Sequence, residues 1–216
     1  MDPVTIRELL WEEFPLDSDQ WDSIQRHYEL LRRWNRVLNL TRIDDVREVA
    51  ERHYGESLFL ASQLGDAAQL PDHGVNHGVR IVDIGSGPGF PGIPVAVARP
   101  DCRVALIEAH QRKAVFLREA VREVFGAGSP DRGNVRVLAQ RAETVRERFD
   151  WAISRAVSYE DLGSTLGRLA PNAALLTGPD APPESLGFQW NEPIRLPWGK
   201  QRFLRIGTVS HETSFT

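Results

Sequence analysis

Residues 79–99, VRIVDIGSGPGFPGIPVAVAR, constrain what this chain can fold into more than any other stretch. Val79–Ile84 is a short β-branched run of the kind that forms a buried parallel strand, with Asp83 near its carboxyl end. Gly85, Gly87 and Gly89 follow at every second position, and Pro91-Gly92-Ile93 opens a helical stretch. Without Cβ atoms, that turn lets backbone lie flat against a small molecule. The first N–H groups of the following helix point to the same place. Strand, glycine-rich turn and helix predict a nucleotide-type pocket at the carboxyl end of the strand.

The glycine spacing narrows the ligand. A dinucleotide fingerprint needs G-x-G-x-x-G, but here the third glycine comes one residue early and Phe90 fills its place. A phosphate-cradling P-loop would end in G-K-S/T, and no such lysine is present. What remains, D-x-G-x-G-x-G, resembles the first motif of class I S-adenosylmethionine-dependent methyltransferases. Val104–Glu108 ends in a carboxylate able to accept from both ribose hydroxyls. A glycine-rich turn alone could be a plain tight turn; the strand before it, the proline at the helix start and Glu108 weigh against that.

At 216 residues the chain is expected to form one substantial domain with a small appendage. Its 41% hydrophobic and 26% charged content are those of a soluble globular protein. The single cysteine, Cys102, has no partner for an internal disulfide, the N-terminus shows no apolar signal region, and no apolar run reaches membrane-spanning length. A cytoplasmic location is therefore expected. A net charge of −4 does not announce a nucleic-acid binder, yet its distribution is uneven. Residues 195–205 carry Arg195, Lys200, Arg202 and Arg205 with no acid, and residues 26–42 set Arg26, Arg32, Arg33, Arg36 and Arg42 against Glu29 alone. Each cluster is either a solvated face or a phosphate-contacting patch.

In chain order, Asp2-Pro3 predicts a helix to about Phe14, stopping before Pro15. Ser18 or Asp17 caps a second helix, whose stripe of Trp21, Ile24, Tyr28, Leu31 and Leu38 reads as core, and Asn39-Leu40-Thr41 closes it. Asp44 caps a third, with Val46, Val49, His53, Leu58, Leu60 and Ala61 on its apolar side. Pro71–Gly78 is a linker; His73 and His77 within it sit among glycines and suggest no metal site. Thereafter strands at 80–84, 103–107, 134–138, 150–154 and 172–177 alternate with helices at 91–99, 110–125, 142–148 and 158–169. Strands near 193–197 and 202–209 close the sheet as an antiparallel pair. The fold expected is α/β: a Rossmann-like sheet of the class I methyltransferase type, mostly parallel, with an antiparallel C-terminal strand, helices on both faces and an N-terminal helical extension. The extension covers residues 1–70 and packs on the core, and the cofactor domain covers 79–216. Gly85–Gly89, Glu108, Arg141–Glu143 and Ser154–Arg155 all fall at strand carboxyl ends, on one rim.

Taken together, WN…NLT at Trp34–Thr41, RHYGESL at Arg52–Leu58, DIGSGPGFPGIP at Asp83–Pro94, IEAHQRKAVFL at Ile107–Leu117, RAE at Arg141–Glu143 and FDWAISRAV at Phe149–Val157 go beyond the superfamily. The chain resembles the bacterial small-subunit ribosomal RNA methyltransferase G family, also called glucose-inhibited division protein B. The resemblance implies methyl transfer from S-adenosylmethionine to N7 of a guanosine in a loop of 16S ribosomal RNA. It implies a cofactor site of Asp83, Gly85, Gly87, Gly89, Phe90, Glu108, Ala142, Glu143 and Arg155. Gly85 and Phe90 would lie along the methionine and adenosine, Glu108 on the ribose and Ala142-Glu143 beside the adenine. Arg155 would stand near the methionine carboxylate or the target base as the one catalytic, positioning residue. Lys113, Arg202 and Arg205 would face the RNA, and no metal is implied. The partner would be 16S ribosomal RNA or the small subunit, met by a monomer, with no DNA and no membrane. Two positions depart from the family pattern: Glu56 stands where the family usually has Asp, and Thr177 where it usually has Lys.

The chemistry agrees with what the sequence lacks. Guanine N7 carries a lone pair and loses no proton on methylation, so no general base and no nucleophilic triad are required. Cytosine-C5 methylation would need a nucleophilic cysteine, and Cys102 precedes a strand, away from the rim. Arg155 either meets guanine O6 or pairs with Asp83 or Glu108 across the rim; the residues leave both open. Two rivals also stand: a methyltransferase of another substrate class, and a non-catalytic RNA-binding assembly protein.

Overall fold

The computed structural model describes residues 4–65, 78–126, 134–163 and 165–209. At its centre five parallel strands, β1 (Arg80–Ile84), β2 (Arg103–Ile107), β3 (Val135–Leu138), β4 (Trp151–Arg155) and β5 (Asn172–Thr177), lie in the order β3-β2-β1-β4-β5. β8 (Phe203–Val209) runs antiparallel to β5, with Leu175 opposite Arg205. The outer edge of β8 takes β7 (Ile194–Arg195) at one end and β6 (Phe188–Trp190) at the other. The strand order reverses between β1 and β4. Open sheets of this kind bind ligands outside the carboxyl ends at such a point.

Alternation along β1 divides the core. Val82 and Ile84 join Ile107, Leu162, Leu166 and Ala173 on one face, while Ile81 joins the other. That second face is covered by α5 (Gly92–Ala98), α6 (Gln111–Phe125) and the N-terminal helices α1 (Ile6–Leu10) and α2 (Ser18–Leu38). Ile6, Leu10, Trp21, Ile24 and Leu31 share one contiguous cluster with Ile81, Ile93 and Leu106, so the N-terminal layer has no core of its own. Gln20 Nε2 donates to the Val97 carbonyl at 2.7 Å and ties α2 to α5. α7 (Tyr159–Leu162) and α8 (Thr165–Leu169) cover the first face.

Several expected elements are redrawn. α1 starts at Thr5, whose hydroxyl and Glu8 form a capping box, and ends at Leu10; the expected Asp2-Pro3 start lies outside the described residues. Asp17 is the cap of α2, and Asn39 ends it in the left-handed conformation. Asp45, not Asp44, caps the third helix, because its side chain reaches the Glu48 N–H. That helix is a composite: α3 (Val46–Val49), a π-helical stretch over Ala50–Gly55, then α4 (Glu56–Gln63). Residues 53–58 are all buried, which one amphipathic face cannot achieve; the stretch is enclosed on every side. The expected helix at 158–169 is two short ones separated at Gly163, and 142–148 contains one 3-10 turn, Ala142–Thr144. β6 was not expected. Of the linker, Gly78 alone is described, so His73 and His77 lie outside the described residues.

Candidate functional site: the glycine turn and its supports

The turn after β1 is held from below by two carboxylates. Asp83, fully buried, accepts the Gly92 N–H on Oδ2 at 3.0 Å, and its Oδ1 has no partner among the described residues. Burial pushes this carboxyl up to about 7, against the pull of its hydrogen bonds. A Cβ on Gly92 would come within 2.7 Å of Asp83 Oδ2, so glycine is required for that approach. Glu108, 8% exposed at the end of β2, accepts the Gly87 N–H at 3.1 Å and the His110 N–H at 2.7 Å. Gly87 itself has φ +54°, and a Cβ there would meet nothing nearer than the Gly85 carbonyl at 3.9 Å. Its positive φ favours glycine, and its outward side is open.

From the helical layer, His27 of α2 reaches the same turn. Its Nε2 lies 3.0 Å from the Pro88 carbonyl and its Nδ1 2.9 Å from the Tyr54 hydroxyl. A carbonyl only accepts, so Nε2 carries the proton and Nδ1 accepts from Tyr54. Burial lowers the His27 pKa to about 4, so the ring is neutral. Phe90 is 2% exposed and stacks on His53 at 4.6 Å, with His27 and Tyr54 edge-on. Its side chain is thus part of an aromatic wedge under the turn, which leaves the Phe90 backbone as its part of the glycine turn. His53 pairs through Nε2 with Thr41 Oγ1 at 2.9 Å. Burial first, then the Arg155 and Arg52 charges, lowers its pKa to about 2.

Arg155 ends β4 across the strand-order reversal, where Ser154 Oγ donates to the Ile84 carbonyl at 2.8 Å. It pairs with neither Asp83 nor Glu108. Its Nε sits 3.4 Å from Glu56 Oε2, and Glu56 is completely buried. The same carboxylate takes Arg202 in bidentate fashion, at 2.9 and 2.7 Å. Burial lowers the Arg155 pKa, Glu56 opposes this, and the nearby Arg202 and Arg52 charges add to it. Ala156 follows at φ 59°, an uncommon conformation for a residue with a Cβ.

The remaining expected residues divide. Ala142 and Glu143 lie in the 3-10 turn after β3, Glu143 exposed and the Ala142 carbonyl accepting from Arg168. Lys113 is half-buried in the first turn of α6, with no ion pair among the described residues. Arg202 and Arg205, expected to face the RNA, are both engaged by acceptors of the protein. Arg202 is held by Glu56, and Arg205, 8% exposed, donates to Thr177 Oγ1 and the Pro179 carbonyl. Both guanidinium groups satisfy acceptors inside the protein. Sequence reasoning missed His27, and it noted Glu56 without giving it a structural role. His27 stands three residues after Ile24 on the buried stripe of α2, and Glu56 was visible as an acid in an apolar run.

Comparison with known proteins follows from this geometry. The family model described as rRNA small subunit methyltransferase G matches residues 20–169. The ribosomal RNA small subunit methyltransferase G of Roseiflexus sp. (strain RS-1) is 39% identical over 149 residues, covering 66% of this chain and 57% of its own. That of Methylococcus capsulatus is 39% identical over 156 residues, covering 71% and 66%. The chain spans about three fifths of the length of the first of these relatives. Among solved structures, magnesium protoporphyrin IX methyltransferase from Synechocystis PCC 6803 with bound SAM superposes with a TM-score of 0.60 at 17% identity, covering 90% of this chain and 98% of that one. A SAM dependent methyltransferase from Aquifex aeolicus gives 0.56 at 16% identity, covering 80% and 97%. These likenesses show the class I methyltransferase fold.

Proposed function

The chain belongs to the rRNA small subunit methyltransferase G family, and on that premise we propose that it transfers a methyl group from S-adenosylmethionine to N7 of a guanosine in 16S ribosomal RNA. One observation carries the cofactor half of this reading: the glycine turn is braced by two carboxylates that retain unused acceptor capacity. Asp83 Oδ1 is buried without a partner among the described residues, and Glu108 accepts two backbone N–H groups although a carboxylate offers about four lone-pair sites. The residues present therefore fit S-adenosylmethionine.

When bound, that cofactor supplies an activated sulfonium methyl group with a neutral thioether to leave. Glu108 would accept from the ribose hydroxyls, Gly85, Gly87 and Gly89 would offer backbone to the methionine side, and Ala142-Glu143 would flank the adenine. Arg155 would hold the methionine carboxylate or guanine O6 with its planar fork, leaving the N7 lone pair free. Guanine N7 has no proton to lose, so the side chains position rather than titrate; positioning can supply roughly 7–11 kcal/mol. The target base is one splayed from an RNA loop, because the major groove of an A-form helix admits no side chains. The compartment on this reading is the cytoplasm, with the chain acting as a monomer. No helix among the described residues is long and apolar enough to cross a membrane.

The test is transfer of tritiated methyl from S-adenosylmethionine to small subunits lacking native methylation, followed by nucleoside identification. Labelled 7-methylguanosine is the expected product. Label on carbon or an exocyclic amine, or none at all, overturns the assignment.

A further inference from the structure

With Arg202 and Arg205 turned inward, a different surface has the charge an RNA backbone requires. The outer face of α2 presents Arg32, Arg33 and Arg36, all exposed and without an ion pair among the described residues. Arg32 lies over the Tyr28 ring at 5.7 Å. Between α2 and residues 41–49 is a cleft of about 310 Å³, with Tyr28, Leu31 and Ile43 among its apolar walls and Arg32 and Arg36 at its edge. A second hollow of about 270 Å³ is lined by Glu29, Arg32, Arg33 and Arg36. Arg32 and Arg36 thus border both. They are four apart on one helix, and like charges at that spacing repel. Asp44 faces the larger cleft and Glu29 the smaller, so the three arginines still leave a net positive surface. Asn35 is engaged elsewhere, with both amide atoms on the Thr41 backbone.

A short chain of core contacts links the cleft to the glycine turn. Thr41 in its wall meets His53, and His53 stacks on Phe90 of the glycine turn. We propose that this double hollow is the docking surface for the substrate RNA. Phosphates would sit on Arg32, Arg33 and Arg36, and one nucleotide other than the reacting one in the larger cleft. The cleft is at the small end of the range for ligand sites, about 300–1,000 Å³, which suits a single nucleotide. Paired guanidinium groups suit a phosphodiester, and apolar walls suit a ribose or base. This rests on the RNA reading above.

The experiment is filter binding of in-vitro-transcribed 16S ribosomal RNA across potassium chloride from about 50 to 200 mM, with S-adenosylhomocysteine binding followed by calorimetry. Three variants are compared with the parent: Arg32→Gln/Arg36→Gln, Arg32→Lys/Arg36→Lys, and Arg103→Gln, an exposed site at the amino end of β2. The glutamine pair is expected to lower the slope of log affinity against log salt by about 1.4, the value for two contacts on a single strand. Its affinity for RNA should fall several-fold at low salt, with S-adenosylhomocysteine binding unchanged. The lysine pair should keep the slope, since it keeps the charge. An unchanged slope in the glutamine pair, with a parent that binds and methylates RNA, overturns the docking surface alone. An equal loss in Arg103→Gln overturns it as well. A parent that binds S-adenosylhomocysteine but neither binds nor methylates RNA overturns the RNA reading and this inference together.

Discussion

Residues 26–42 and 195–205 are both rich in arginine and nearly free of acids, yet the fold treats them in opposite ways. On α2, Arg32, Arg33 and Arg36 are exposed and unpaired among the described residues, whereas Arg202 and Arg205 are drawn inward to Glu56, Thr177 and the Pro179 carbonyl. Arg195 and Lys200 stay exposed, so even within the second cluster the outcome differs residue by residue. Local charge does not decide this. A guanidinium goes inside where a buried acceptor waits, because an unpaired charge there is costly. Glu56 is that acceptor, delivered by a helix 146 residues earlier in the chain. Among the described residues α2 has no equivalent buried acid beneath it; its inner face is given to Trp21, His27, Tyr28 and aliphatic side chains.

The strongest way to break the comparison is to remove the buried acceptor. Glu56→Gln leaves Arg202 and Arg155 without a counter-charge and should cost about 3–5 kcal/mol in urea unfolding, the scale for a broken buried pair. Glu56→Asp should recover part of this. A loss below about 1 kcal/mol would mean that the inward arginines are held by hydration rather than by Glu56.

Next in size is a pH effect that contrasts the neutral inner face of α2 with its charged outer face. His27 and His53 have pKa values lowered to about 4 and about 2, so between their unfolded value of 6.5 and these values the unfolded chain takes up protons that the folded chain refuses. Stability therefore falls as pH drops below 6.5. Asp83, raised to about 7 from 3.8, acts in the opposite sense: its stabilisation is fully present below pH 3.8 and is lost as pH rises through 7. Asp83→Asn removes that opposing contribution. The variant should lose stability on acidification more steeply than the parent, by about 1.4 kcal/mol per pH unit, one proton's worth. Urea midpoints at pH 5 and 6 read this directly; parallel slopes would show that Asp83 is ionised in the folded protein.

The smallest effect is expected on the exposed face. Arg33→Gln should change unfolding free energy by no more than about 0.5 kcal/mol, because an exposed, unpaired side chain is absent from the folding balance. A loss above about 1 kcal/mol would reveal a structural partner for Arg33 and erase the contrast with Arg202.

How much of this was legible depends on how far apart in sequence the interacting groups lie. The alternation of β-branched runs with helical stretches identified β1 to β5 within a residue or two, since hydrophobic period is a property of neighbouring residues. The glycine turn, Asp83 and Glu108 were found the same way, by spacing and by position at strand ends. The caps of the second and third helices were found to within one residue, Asp45 in place of Asp44, because adjacent acids compete for the same N–H groups, whereas the first helix is capped by Thr5 and not by the expected Asp2. Less was visible of Gly163, where a left-handed backbone splits the expected helix, and of β6, whose three residues are strand because β8 lies beside them.

The sequence by itself determined the Rossmann-like sheet, its glycine turn and the two carboxylates that brace it, because each of these is written in a pattern of neighbouring residues, although the contacts that join them span up to 70 positions. Tertiary structure alone decided which side chains support that turn and which arginines remain outside. His27 meets Pro88 across 61 residues, Arg202 meets Glu56 across 146, and Arg155 finds Glu56 in place of either acid on its own rim. Burying a polar group requires a partner, and the partner's position is set when the helical layer closes over the sheet.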